Sequence, residues 1–146
     1  MVSGGAGALG YGRAMTTVPT FSALGDESFV SLTTFRRSGE AVSVPVWIGR
    51  DGDALTVTTP ATSGKVKRLR ADPRVELRPC SRRGKVDGGV PPVAGVARII
   101  ADVDGVERLT DGIRKKYRWQ FRVAMMIERL GRAGRRPRVI LRITSA

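Results

Sequence analysis

The chain has 146 residues, 41% apolar and 27% charged, which fits one globular domain and excludes a two-domain enzyme or wholesale disorder. With no His and a single Cys, Cys80, it holds no Cys/His zinc site, His-ligated haem, internal disulfide, or Ser-His-Asp or Cys-His machinery. Charge is the outlier: 26 Lys and Arg against 13 Asp and Glu give +13, which points to nucleic acid, an anionic membrane or a phosphorylated cofactor as partner.

Residues Met1 to Ala14 are small and Gly-rich with little to bury, and read as a flexible tail ahead of a single domain from Met15 to Ala146. No apolar run approaches the roughly 20 residues that span a bilayer, and the start lacks the pattern of a secretory signal, so a cytosolic location is expected. Phe29 to Arg36 reads as a first strand, turned by Ser38-Gly39 into Ala41 to Gly49, where Val42, Val44, Val46 and Ile48 alternate with Ser43, Pro45 and Trp47. Asp51-Gly52 is a hairpin signal leading into a third strand, Ala54 to Thr59. Thr62 or Ser63 can cap a short helix over Gly64 to Ala71, stopped by Pro73, with Val66 and Leu69 inward.

Arg74 to Cys80 reads as strand, Ser81 to Pro92 as polar loop, and Val93 to Val103 as a longer strand. Asp104 and Glu107 have capping-box spacing ahead of a helical segment carrying Leu109, Ile113, Tyr117, Trp119, Val123, Met126 and Leu130, with a break at Arg118 or Gly131. Pro137 to Thr144 closes the chain as a last strand. Six strands with peripheral helices predict a mainly β fold, a small antiparallel barrel.

The charge is concentrated. Between Lys65 and Lys85 nine cations meet only Asp72 and Glu76, a net of +7, and between Val106 and Arg138 eleven cations meet three acids, a net of +8. The first block opens on Thr62-Ser63-Gly64-Lys65-Val66-Lys67-Arg68, where helix N-terminal amides, hydroxyls and cations suit a phosphate; the same pattern also describes an ordinary capped, solvated basic helix. Pro45 inside a strand marks an edge, a bulge or the approach of something other than a neighbouring strand.

The ordered set Thr34-Phe35-Arg36-Arg37-Ser38-Gly39, Val44-Pro45-Val46-Trp47, Ser63 to Arg70, Asp72-Pro73-Arg74-Val75 and Pro79-Cys80 resembles the actinobacterial deazaflavin-dependent oxidoreductases. These belong to the pyridoxamine-5′-phosphate-oxidase-like, FMN-binding split β-barrel superfamily. The resemblance runs from about Phe29 to the last strand and implies a six-stranded split barrel, a homodimer, and cofactor sites in grooves between protomers. It further implies that Ser63, Gly64, Lys65, Lys67 and Arg68 hold the cofactor phosphate. The ring would lie along Val44, Pro45, Val46, Trp47, Thr58 and Thr59, with Tyr117 and Trp119 where the partner protomer approaches. Arg118 departs from the small residue of that family position.

Two basic blocks suit coenzyme F420, which carries a phosphate and an oligoglutamate tail, better than FMN with its one phosphate. Hydride transfer from a bound cofactor needs positioning and no protein nucleophile, which fits the missing His. The expected function is an oxidoreductase in which reduced coenzyme F420 gives hydride to an electron-poor organic substrate. The alternatives are an FMN flavoprotein on the same barrel, a cofactor carrier, and a nucleic-acid binder using Arg108 to Arg138, the last disfavoured by an aromatic content of 5%. No metal and no membrane partner is expected. In plainer terms Trp47 and Trp119 are packing residues, Cys80 a small core residue, and Met125 and Met126 core or interface. Arg132, Arg135 and Arg136 form a solvated turn or contact the tail.

Overall fold

Glycines at turn positions and alternating apolar residues between them fold the chain into one antiparallel sheet. The computed structural model describes residues 20–130 and 137–146, and the backbone alone for 127–130. Seven strands are present among the described residues: β1 (Val30–Phe35), β2 (Ala41–Val46), β3 (Gly49–Asp51), β4 (Ala54–Pro60), β5 (Arg74–Pro79), β6 (Val93–Ile100) and β7 (Arg138–Ser145). Helix α1 (Gly64–Ala71) follows β4, and α2 (Val103–Tyr117) and α3 (Trp119–Leu130) lie between β6 and β7; a 3-10 turn, Ser22–Asp26, precedes β1. The tail before Met15 and residues Gly131, Arg132, Arg135 and Arg136 lie outside the described residues.

The sheet order is β2-β1-β5-β6-β7-β4-β3. Strands β2 and β3 thus stand at opposite edges although only Trp47 and Ile48 separate them in sequence, so one bent stretch of chain joins both edges and curls the sheet into a half-barrel. Here the expectation of six strands is corrected to seven. The run Ala41 to Gly49 is two strands, because the chain leaves β1 after Val46 and takes up β4 at Gly49, opposite Thr56. The N–H of Ile48, at the bend, donates instead to the Tyr117 hydroxyl at 3.0 Å.

The β1–β2 turn closes with Arg36 N–H donating to Glu40 O at 2.9 Å and Gly39 at φ +93, a left-handed position that glycine occupies without steric cost. Asp51 and Ala54 flank the two-residue β3–β4 turn, with Gly52 at φ +61.

The concave face carries the main core: Val30 and Leu32, Leu55 and Val57, Val75 and Leu77, Leu141 and Ile143, capped at one end by Val66 and Leu69 of α1. Full burial of each such side chain is worth about 1.5–3 kcal/mol. On the convex face Leu109, Ile113 and Tyr117 of α2, at the predicted helical spacing, pack with Phe121 of α3 on Ile140. Val42, Val44 and Val46 alternate as expected but are only half-buried, because β2 is an edge strand.

Two boundaries also differ from the sequence reading. Strand β6 ends at Ile100, and α2 is capped by Asp102, whose Oδ2 accepts from Gly105 N–H at 2.8 Å, in place of Asp104 and Glu107. A side chain at position 105 would collide with that carboxylate and with Ile100, so the glycine is required by the cap. The helical segment does break at Arg118, with φ +49, a left-handed conformation costly for a residue with a Cβ.

Candidate functional site

The barrel splits where β2 and β4 diverge. Cys80 N–H donates to Phe29 O and Arg36 N–H to Glu40 O, so odd-numbered residues of β1 bond toward β5 and even-numbered ones toward β2. Pro45 lies opposite Ser31, in a pair with no ladder bond between β1 and β2, so its missing N–H costs the sheet nothing. On the other side Ala61 N–H donates to Pro137 O at 3.0 Å, so the even-numbered residues of β4 turn their main-chain groups away from β7. The β3 ladder ends at Gly49 opposite Thr56, which leaves the main chain of Thr58 facing the opening.

That opening is a groove of about 380 Å³. Pro45, Val46 and Trp47 form one wall, Thr58, Thr59 and Pro60 the other, and Phe29 with Ala124 and Met125 of α3 complete the apolar lining. Trp47 is fixed from behind by Tyr117, with ring centroids 4.7 Å apart and planes 13° from parallel. Tyr117 is anchored in turn by donating its hydroxyl proton to Ser28 O at 2.8 Å. Burial pushes the Tyr117 phenol above its ordinary value, so it remains a neutral donor.

Three cations line the groove: Lys65, Arg82 and Arg138. They come from both basic blocks, which the fold brings to one place. Lys65 has no hydrogen bond or ion pair among the described residues, and burial first, then Arg68 and Arg138, holds its ammonium below the ordinary lysine value. Arg138 donates from Nε to Thr58 Oγ1 at 3.1 Å. Arg68 folds back along α1 and donates from Nε to Thr34 Oγ1 at 2.6 Å, close enough to the helix start that a Cβ on Gly64 would lie 2.8 Å from its Nη1. The N–H groups of Gly64 and Lys65, first in α1, have no intrahelical acceptor.

Of the residues singled out in the sequence, Pro45, Val46, Trp47, Thr58, Thr59 and Lys65 line the groove. Ser63 is the N-cap of α1: its Oγ accepts from Val66 N–H at 3.4 Å and from Thr59 Oγ1 at 3.1 Å. Gly64 and Arg68 stand at the same helix start, while Lys67 is exposed and Val44 half-buried, neither in the lining. Tyr117 is buried behind Trp47, and Trp119, 68% exposed, lies on the outer surface of α3; within one chain neither reaches the groove. Cys80 is half-buried, and burial followed by Glu27 pushes its thiol up, away from reactivity.

Sequence reasoning missed Arg82 and Arg138 as groove residues. For Arg82 a signal existed: Ser81-Arg82-Arg83-Gly84-Lys85 carries two cations ahead of a turn glycine, as does Arg36-Arg37-Ser38-Gly39-Glu40 with a serine between, which forms a tight hairpin. Arg138 is brought in by the β4–β7 register, Pro60 opposite Arg138, which no local pattern encodes. Among the described residues no group of three or more His, Cys, Asp or Glu could hold a metal, and no helix is long and apolar enough to cross a membrane.

The fold recurs in solved structures. A conserved hypothetical protein from Mycobacterium tuberculosis superposes with a TM-score of 0.61 at 19% identity, covering 91% of this chain and 84% of its own. An F420 reductase gives 0.56 at 21% identity, with 88% and 96% covered. A FAD-binding protein from Mesorhizobium loti gives 0.56 at 18%, with 86% and 84% covered. No protein of curated function matches the sequence. Residues 20–146 match the pyridoxamine 5′-phosphate oxidase family, a span that holds every strand of the half-barrel and every residue of the groove. The chain belongs to that flavin-binding, split-barrel family.

Proposed function

We propose that this chain is an oxidoreductase in which reduced coenzyme F420 gives hydride to an electron-poor organic substrate, such as a conjugated carbonyl or nitro compound. The observation that carries this reading is Lys65, a half-buried ammonium with no partner among the described residues, at the end of an apolar slot in the split barrel. An uncompensated, partly desolvated cation is unfavourable in the free protein and favourable once an anion arrives. Lys65, the first amides of α1 and Arg138 would hold the cofactor phosphate, with Arg68 behind them. Pro45 to Trp47 and Thr58 to Thr59 would flank a flat ring, with Trp47 kept in place by Tyr117.

The bound deazaflavin supplies the hydride. The protein's part is orientation, exclusion of water by Phe29, Ala124 and Met125, and charge matching, none of which needs a nucleophile. The reading includes a homodimer. Trp119, Val123 and Met126 are 68%, 45% and 61% exposed at helical spacing on α3, whose opposite side supplies Ala124 and Met125 to the groove. A second copy laid on that stripe would cover Trp119 and hold α3 against the groove.

A fluorescence titration with coenzyme F420 and separately with FMN, at low and physiological salt, tests the cofactor. Micromolar or tighter deazaflavin binding that survives physiological salt, with weak FMN binding, supports the proposal. Preference for FMN makes the chain a flavoprotein of the same family instead. For the dimer, Met126→Glu should shift the molecular mass in light scattering toward the monomer, and an unchanged mass would remove α3 from the interface.

A further inference from the structure

Three main-chain oxygens from two separate stretches of chain converge on one ammonium. Lys116 Nζ, near the end of α2, receives Gly25 O at 2.8 Å, Glu27 O at 2.7 Å and Ile48 O at 2.8 Å as acceptors. Each of these carbonyls is left over by the fold around it. Gly25 stands at the end of the 3-10 turn, where the last carbonyls have no internal donor, and Glu27 follows as its cap. Ile48 lies at the bend between β2 and β3 and pairs with neither β1 nor β4. None of the three accepts a main-chain N–H among the described residues. An ammonium has three donors and no acceptor, so one lysine satisfies all three at once.

The surroundings are those of a bound cation. The Tyr117 ring lies with its centroid 5.2 Å from the ammonium. Burial holds that ammonium below the ordinary lysine value, while Asp26 and Glu27 favour its charge and Arg50 opposes it. The three oxygens that touch it are neutral, which suits a singly charged ion; calcium and magnesium call for more oxygens and for carboxylates among them. Beside the ammonium lies a cavity of about 380 Å³, lined by Gly25, Asp26, Gly49, Arg50, Gly112 and Lys116. Gly112 leaves its helix side open. A Cβ there would meet only Arg50 O, at 4.0 Å, so packing does not require a glycine, although glycine in mid-helix is less stable than alanine.

We propose that the carbonyls of Gly25, Glu27 and Ile48 form a site for a monovalent cation of the potassium and ammonium class, which Lys116 fills with a tethered ammonium. The adjoining cavity admits a dissolved ion once that ammonium is withdrawn. The tether makes the anchorage of the chain before β1 independent of dissolved cations. Selectivity follows from the spacing. Oxygens placed 2.7 to 2.8 Å from an ammonium nitrogen accept potassium, an ion of similar size, without moving. Sodium and lithium are smaller and would have to draw in segments held by Leu24 and Ile48, which are fully buried in the main core. The inference needs nothing from the reading of the groove.

The test replaces Lys116 by alanine, which empties the site, and by methionine, whose unbranched stem still fills the approach. Wild type, Lys116→Ala and Lys116→Met are unfolded with urea in equal concentrations of potassium, ammonium, sodium and lithium chloride, and followed by circular dichroism. For Lys116→Ala the folding equilibrium constant is expected to be about tenfold higher in potassium or ammonium chloride than in lithium chloride, and to rise with potassium along a saturating curve. That is the gain from an ion present at about ten times its Kd that binds only the folded state. Wild type and Lys116→Met should differ among the four salts by less than about twofold. If Lys116→Ala is unfolded in lithium chloride, potassium or ammonium chloride should refold it. Equal stability of Lys116→Ala in potassium and lithium, a chain unfolded in every salt, or the same recovery in Lys116→Met overturns the proposal.

Discussion

The two ends of the bent β2–β3 stretch handle positive charge in opposite ways. At the β3 end Asp51 accepts from Arg142 Nε at 2.8 Å and Arg108 Nη1 at 3.2 Å, and Arg50 meets Asp26 at 3.0 Å. Lys116 there donates to three main-chain oxygens, those of Gly25, Glu27 and Ile48, at 2.7 to 2.8 Å. At the β2 end Lys65 has no such partner among the described residues. Both regions are rich in cations, but one is neutralised from within, and in the other Lys65 meets no acid among the described residues. The contrast separates charge that holds the fold from charge held ready for a ligand, a distinction that net charge alone cannot make.

The largest effect on this contrast is expected at Lys116. Lys116→Met removes three charge-assisted bonds that tie α2 to the bend and to the chain before β1, and should lower stability by about 2–3 kcal/mol in chemical denaturation. Ligand affinity of the folded protein should stay within about twofold. Lys65 should behave in the reverse manner. Lys65→Ala is expected to weaken deazaflavin binding by at least about tenfold, roughly 1.4 kcal/mol, with no loss of stability.

A pH dependence follows from the same residue. The folded chain holds the Lys65 proton less tightly than the unfolded chain, whose value is near 10.5, because burial lowers the folded one. Between those two values the unfolded state binds more protons, so stability attributable to Lys65 rises with pH across that window. Denaturation curves of wild type and Lys65→Met should converge as pH climbs through it.

Tyr117→Phe comes next, at about 1–2 kcal/mol, since it leaves the buried Ile48 N–H without its acceptor at the bend. Its signature is a loosened Trp47, read as a red-shifted tryptophan emission. The smallest effect is expected at Asp51→Asn, under about 1 kcal/mol at neutral pH because Arg108 is largely exposed. The hydrogen bond from Arg142, opposed by burial and aided by Arg108, holds the Asp51 carboxyl below 3.8. Its contribution is therefore complete above 3.8 and lost as pH falls through the lowered folded value, so the variant should show a shallower acid limb.

Much of the sheet was legible because alternation and turn glycines are local signals: Val30 to Phe35, Ala54 to Pro60 and the Asp51-Gly52 turn stand close to where the sequence places them. The inner face of α2 was legible for the same reason, Leu109, Ile113 and Tyr117 recurring at helical spacing. What alternation could not show was the bend at Trp47 and Ile48, since apolar periodicity continues through it while the pairing partner changes from β1 to β4. Of the groove, the walls and Lys65 were visible as segments of a resemblance. The convergence of Arg82 and Arg138 on Lys65 needed the fold, because it depends on a turn clamped to Pro45 and on the β4–β7 register.

The most direct test is a crossed one: thermal unfolding of wild type, Lys65→Met and Lys116→Met, each with and without saturating coenzyme F420. A ligand that binds only the folded state raises the midpoint according to its concentration over its Kd. The account predicts a lower ligand-free midpoint but an undiminished ligand-induced rise for Lys116→Met, and an unchanged or higher ligand-free midpoint with most of the rise lost for Lys65→Met. A full ligand-induced rise in Lys65→Met, or a fall in its ligand-free midpoint comparable to that of Lys116→Met, would contradict it.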